Sequence, residues 1–105
     1  MGAVTLNELT AMVIQFRDER GWKHFNNPKD TAISLSLEAA ELLELMQWRT
    51  GEELASHLEA CQEAVAHELS DILYWVLLLA HDLQIDLARA FESKMQMNVA
   101  KYPIT

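Results

Sequence analysis

Four carboxylates stand out by type and spacing. Glu38 and Glu41 lie three apart in one apolar stretch, and Glu68 and Asp71 lie three apart in another. Residues three apart on a helix share a face. Each stretch therefore offers two acids side by side among leucines and isoleucines that suit a core: Leu35, Leu37, Leu42 and Leu45 in the first, Leu69, Ile72 and Leu73 in the second. Two such helices packed antiparallel would gather four negative charges around one point. On a solvated face a like-charged helical pair costs only about 0.2–0.5 kcal/mol. At ~5 Å and an effective dielectric near 20, each pair costs roughly 3 kcal/mol. Several such pairs would rival a whole domain's stability of about 5–15 kcal/mol. Converging acids must then be partly protonated or share a hard divalent cation, and all-oxygen ligation favours Mg²⁺ or Mn²⁺ over zinc. Glu52, Glu53, Glu59 and Glu63 sit in polar surroundings and read as solvated surface.

The aromatic residues extend the pattern. Trp48 follows Glu41 by two helical turns on the same expected stripe, and Trp75 follows Asp71 by one turn. Trp22 and Phe25 fall in a loop just before the first acidic helix. Taken singly, each tryptophan is most simply core packing. Three of them near the carboxylates suit the flat face of a nucleobase. Lys94, Asn98 and Lys101 recur at i, i+4 and i+7, a basic stripe in an otherwise acidic chain. Such residues complement a helix C-terminus; the sharper alternative is contact with phosphate. Cation, aromatic wall and basic stripe together describe a nucleoside polyphosphate site. Other signals are weaker. His67-Glu68 opens like HExxH, but Asp71 stands where the second histidine is needed. His24, His57 and His81 lack metal-ligand spacing, and Cys61 has no activating neighbours. Neither a Walker A nor a G-x-G-x-x-G loop occurs, so phosphate would be held by cation and side chains.

The elements that must position these residues are helical. Ala, Leu and Glu abound and β-branched runs are missing. Thr5 and Glu8 have capping-box spacing and open a helix to about Arg20, with Leu6, Leu9, Val13 and Phe16 as its stripe and Gly21 ending it. Pro28 biases Asn27 away from helix, and Asp30 is the expected N-cap of a second helix reaching about Arg49. Thr50 and Glu53 repeat the capping-box spacing before a short connector ending near His57. A third helix is expected over residues 59–83, apolar all round at 72–80, which predicts burial on every side and a partner subunit. Asp86 caps a fourth helix to about Ala100. The expected architecture is an all-α four-helix bundle with a short connector helix, oligomeric, in a single domain over residues 1–105.

Composition bounds the function. At 105 residues, half of them hydrophobic and only three Gly and two Pro, the chain can bury one core without staples. A net charge of −8 argues against general binding to nucleic acid or an anionic membrane. The apolar run at 72–80 is far below the roughly 18–20 residues that span a bilayer. A lone cysteine and the lack of a signal-like N-terminus favour a cytoplasmic setting.

These residues resemble a known family. Glu38-x-x-Glu41 followed by Glu68-x-x-Asp71 is similar to the signature of the MazG-like all-α nucleoside triphosphate pyrophosphatases. The resemblance extends to the deoxycytidine triphosphate pyrophosphatase branch through Phe16-Arg-Asp-Glu-Arg-Gly-Trp22, Phe25 with Pro28, Glu41-Leu-Leu-Glu-Leu-Met-Gln-Trp48, Ser93-Lys-Met95, Asn98 and Tyr102-Pro103. It covers nearly the whole chain. It implies Mg²⁺-dependent hydrolysis of a (deoxy)nucleoside triphosphate, dCTP or a modified dNTP, to the monophosphate and pyrophosphate, a nucleotide-pool function. It implies metal binding by Glu38, Glu41, Glu68 and Asp71. Trp22, Phe25, Asn26 and Trp48 would line the base and sugar pocket, with Trp75 nearby, and Lys94, Asn98 and Lys101 would lie near the phosphates. Glu41 and Glu44 are the two candidates for the general base. A homodimer or homotetramer is the implied assembly. The animal enzymes of that branch carry His at the positions of Asn26 and Val13, which leaves the base open. The rival readings are a pyrophosphohydrolase for dUTP or a damaged nucleotide, and a non-catalytic helical oligomer that would leave the paired acids unexplained. A di-iron bundle ranks below both because it expects Glu-x-x-His pairs.

Overall fold

The computed structural model describes residues 2–104, which form five α-helices and a short 3₁₀ turn. Helix α1 spans Leu6–Glu19, α2 Pro28–Glu44, α3 Gly51–Ala60, α4 Gln62–Asp82 and α5 Leu87–Lys101. At the start of α1 the Thr5 hydroxyl accepts from the Glu8 N–H at 3.1 Å, and Glu8 Oε1 accepts from the Thr5 N–H at 3.3 Å. The capping box is reciprocal there, as the spacing predicts. Asp86 likewise caps α5, accepting from the Arg89 N–H at 3.2 Å.

Three boundaries differ from the sequence reading. Asn27, not Asp30, caps α2: its side-chain oxygen accepts from the Asp30 N–H at 2.9 Å. Pro28 then occupies the first turn, where its missing N–H costs nothing. Helix α2 also stops at Glu44 instead of running to Arg49. The Leu45 and Met46 N–H groups bond back to the Leu42 and Leu43 carbonyls, three residues earlier, which tightens and ends the helix. Trp48 beyond it adopts a φ of +70°, costly for a bulky side chain. Finally, the connector lengthens to ten residues, and α4 begins only at Gln62. Cys61 separates the two with a φ of −110° and a ψ of 29°, a break that no glycine or proline announces. Thr50 stands at the N-cap of α3 without a side-chain bond, so the second capping box does not form.

Helices α2 and α4 make the most extensive pair, and α1 packs on α4. The core joins Val13 to Leu77 and Leu78, with Leu6, Leu9, Ile14, Tyr74, Trp75 and Leu87 packed against them. Phe16, the last residue of the expected α1 stripe, lies outside this cluster and is exposed. At its far end α1 is tied to α4 by Arg17, which is 3% exposed. The Arg17 Nη1 donates to both Asp82 oxygens, at 2.8 and 3.0 Å, and Nε donates to Asp18 at 3.1 Å. Burial lowers the guanidinium pKa, but the bonds to Asp82 and Asp18 outweigh that and raise it. The stretch 72–80 is not buried on every side as expected: Leu77, Leu78 and Ala80 are, while Leu73 is exposed. Helix α5 packs extensively on no other helix. The radius of gyration is 16.8 Å, against about 13 Å for a compact chain of this length. Among the described residues no helix is long and apolar enough to cross a membrane.

Candidate functional site

Helices α2 and α4 bring the two acidic pairs together. One carboxylate oxygen from each of Glu38, Glu41 and Glu68 falls within 4.8 Å of the others. Asp71 stands outside this tightest group but raises the pKa of both Glu38 and Glu68 by its charge. Glu38 Oε2 and Glu68 Oε2 are buried without a hydrogen-bond partner. Such orphan oxygens are costly unless a proton or a cation meets them. Burial, a hydrogen bond that the protonated Glu38 donates to Glu68, and the charges of Glu41 and Asp71 push the Glu38 carboxyl up to about 7. Burial, with the charges of Glu41 and Asp71, also raises Glu68. Glu38 therefore holds its proton at pH values where a free carboxylate is ionised. Three or four hard oxygen donors at this spacing suit one cation with ligands roughly 2.1–2.5 Å from its centre. Glu44 lies one turn beyond Glu41, exposed and outside the group.

A cavity of about 480 Å³ opens beside the acids, lined by Met12, Val13, Phe16, Trp22, Glu38, Asp71, Tyr74 and Trp75. Its aromatic wall is a chain of edge-to-face contacts. Phe16 meets Trp22 at 5.6 Å between ring centroids and Tyr74 at 6.0 Å, and Tyr74 meets Trp75 at 4.9 Å. Such pairs prefer this geometry and fix one another's ring planes. The Arg20 guanidinium covers the Phe16 ring, with Cζ 3.7 Å from its centroid, and Nη1 donates to the Phe16 carbonyl at 2.9 Å.

The expected site residues divide accordingly. Trp22 and Trp75 line the cavity with two of the acids. Phe25 does not; it is 74% exposed and lies edge-on to His24. Asn26 is half-buried outside the cavity lining, with its Oδ1 buried and unpartnered. Trp48 is 90% exposed, because α2 ends before it and the stripe expected to carry it past Glu41 is broken. Lys94, Asn98 and Lys101 lie on α5, away from the cavity lining. The sequence reading passed over Phe16 and Tyr74. Phe16 reads as part of the α1 core stripe, and Tyr74, one turn beyond Asp71, carries a usable signal in that spacing.

An all-α scaffold thus sets three clustered carboxylates close to an aromatic cavity, a set of hard oxygen donors of the kind that suits a divalent cation. Residues 33–105 match the model of the MazG-like family, and the chain belongs to that family. Proteins named dCTP pyrophosphatase 1 from Rattus norvegicus and Homo sapiens are 35% and 36% identical over 95% and 94% of this chain. The chain spans about three fifths of the length of these curated relatives. A crystal structure of a pyrophosphatase from Archaeoglobus fulgidus superposes with a TM-score of 0.90 at 37% identity, covering 99% of this chain and 97% of that one.

Proposed function

We propose that the chain hydrolyses a deoxynucleoside triphosphate, dCTP or a modified relative of it, to the monophosphate and pyrophosphate in the presence of Mg²⁺. One observation carries this reading: buried, partnerless carboxylate oxygens of Glu38 and Glu68 stand beside a cavity walled by aromatic rings. The acids suit a polyphosphate with its counter-cation, and the rings suit a base. Family membership and relatives named dCTP pyrophosphatase 1 support the same chemistry.

In this reading Glu38, Glu41, Glu68 and Asp71 hold the cation, and the orphan oxygens give its site a donor set of the right hardness. When bound, Mg²⁺ (or Mn²⁺) supplies Lewis-acid charge neutralisation for the triphosphate. Phe16, Trp22, Tyr74 and Trp75 grip the base and keep water from one side of it. A water oxygen attacks the α-phosphorus in line, the bond to the bridging oxygen of pyrophosphate breaks, and a carboxylate takes the water's proton. Glu41, within the cluster, and Glu44, exposed one turn beyond it, are the two candidates for that proton. Lys94 and Lys101 would neutralise phosphate charge, and Asn98 donate to a phosphate oxygen, from a second copy, because α5 packs extensively on neither α2 nor α4 of its own chain.

Purified protein incubated with Mg²⁺ and a panel of triphosphates, with chromatography of the products, tests the reading. Monophosphate with pyrophosphate is expected. Diphosphate with orthophosphate, or turnover that ignores a chelator, would reject it.

A further inference from the structure

We propose that Arg20 is a positioning residue, whose guanidinium holds the α1 half of the aromatic wall in the arrangement that grips the base. The inference rests on the nucleotide reading above and deepens it. The two halves of the wall are supported differently. Tyr74 and Trp75, on α4, are packed against the core cluster. Phe16 and Trp22 line the same cavity but lie outside that cluster, 41% and 44% exposed, so core packing does not fix them. The backbone does part of the work for Trp22. Gly21, with a φ of +66°, turns the chain at the end of α1, and the Trp22 N–H bonds back to the Arg17 carbonyl at 3.1 Å. That places the main chain of Trp22 and leaves its ring, like that of Phe16, to be held by side chains.

Arg20 attends both rings. Its Cζ lies 3.7 Å from the Phe16 centroid and 6.0 Å from the Trp22 centroid, within the range at which a cation is drawn to an aromatic ring. Nη1 donates to the Phe16 carbonyl at 2.9 Å, so the guanidinium is anchored to the same residue whose ring it covers. The competing partner is weak: the Glu19 carboxylate is 3.9 Å away and both side chains are exposed. Arg20 does not itself line the cavity, so it acts through the rings and not on the ligand. It also stands at the C-cap of α1, where a cation suits the helix dipole. That service alone would show in stability and leave the rings and the affinity for nucleotide unchanged.

Arg20→Ala in the full chain forms the test. Without nucleotide, the near-ultraviolet circular dichroism of the variant should lose intensity while its far-ultraviolet helical signal stays unchanged, the mark of loosened aromatic packing. With the triphosphate that the wild type turns over best, KM should rise about fivefold, the upper range of an exposed cation–π contact, with kcat retained. The inhibition constant of the monophosphate product should rise by the same factor, because the base and not the phosphates loses its grip. An unchanged near-ultraviolet spectrum, or a KM within about 1.5-fold of wild type, would overturn the assignment. So would a loss confined to the triphosphate, which would set Arg20 on the phosphates, or a fall in kcat at constant KM. Each of these leaves the pyrophosphohydrolase reading intact. A wild type inert toward every triphosphate would overturn both.

Discussion

Glu38 titrates in the folded chain at about 7, against an ordinary value of 4.5. Between those values the folded protein binds more protons than the unfolded one, so the metal-free fold is stabilised below about 4.5 and loses that stabilisation as pH rises through 7. The melting temperature of chelator-treated protein is therefore expected to fall between pH 5 and pH 8. Glu38→Gln should flatten that fall, leaving only the share of Glu68, whose pKa is also raised. An equally steep fall in the variant would show that the acids do not carry the effect. Since a cation and a proton compete for the same oxygens, Mg²⁺ affinity should rise through the same window. Glu41→Gln and Asp71→Asn should each lower Mg²⁺-dependent pyrophosphate release on the order of 100-fold or more, with the helical circular-dichroism signal unchanged. Wild-type rates in both variants would dismiss the ligand assignment. These acids were legible in the sequence because their i, i+3 spacing sat inside apolar stretches, where a solvated explanation is expensive. Tyr74 was less legible, since an aromatic residue beside Leu73 and Trp75 reads first as core.

Helices were legible where their ends carry a local chemical signal. Thr5 with Glu8 and Asp86 with the Arg89 N–H fix two starts, and both are found in the fold. Ends without such a signal are not legible in the residues. Nothing in the residues at 45–48 forbids another helical turn, yet Leu45 and Met46 switch to shorter-range bonds and Trp48 takes a positive φ. Cys61 divides α3 from α4 with no helix breaker nearby. Long-range pairing was equally hidden, and the clearest case is Arg17 with Asp82, which lie 65 positions apart. Arg17 sits in the motif leading to Trp22, where its charge alone could suggest a phosphate ligand. Its burial and its fork onto Asp82 give it a structural task instead: holding the C-terminal ends of α1 and α4 together. Replacing Arg17 with Met would strand the Asp82 carboxylate at that junction. The expected loss is about 3 kcal/mol in urea unfolding, at the lower end of what breaking a buried ion pair costs. A loss below ~1 kcal/mol would mean that the junction is held by the apolar contacts of Val13, Leu77 and Leu78 alone.

At the scale of the molecule, a single chain exposes more surface than a chain of its mass should. The accessible surface is 8387 Å², whereas a compact monomer of this mass would expose about 6,000 Å². Part of the exposed apolar surface lies on α5, where Phe91, Met95 and Val99 recur at helical spacing, with Tyr102 exposed just beyond its end. Two copies that each hid an area of about 2,400 Å² would make an interface in the size class of obligate dimers. Light scattering is therefore expected to give a mass of at least two chains of 12.0 kDa each. Phe91→Glu combined with Val99→Glu should shift the mass to that of one chain and lower the melting temperature, because a charge on this face removes the apolar contact that covers it. If the wild type runs as a single chain at micromolar concentration, α5 has no second copy to meet. Lys94 and Lys101 then cannot reach the phosphates from a neighbour, and their proposed role fails with the assembly.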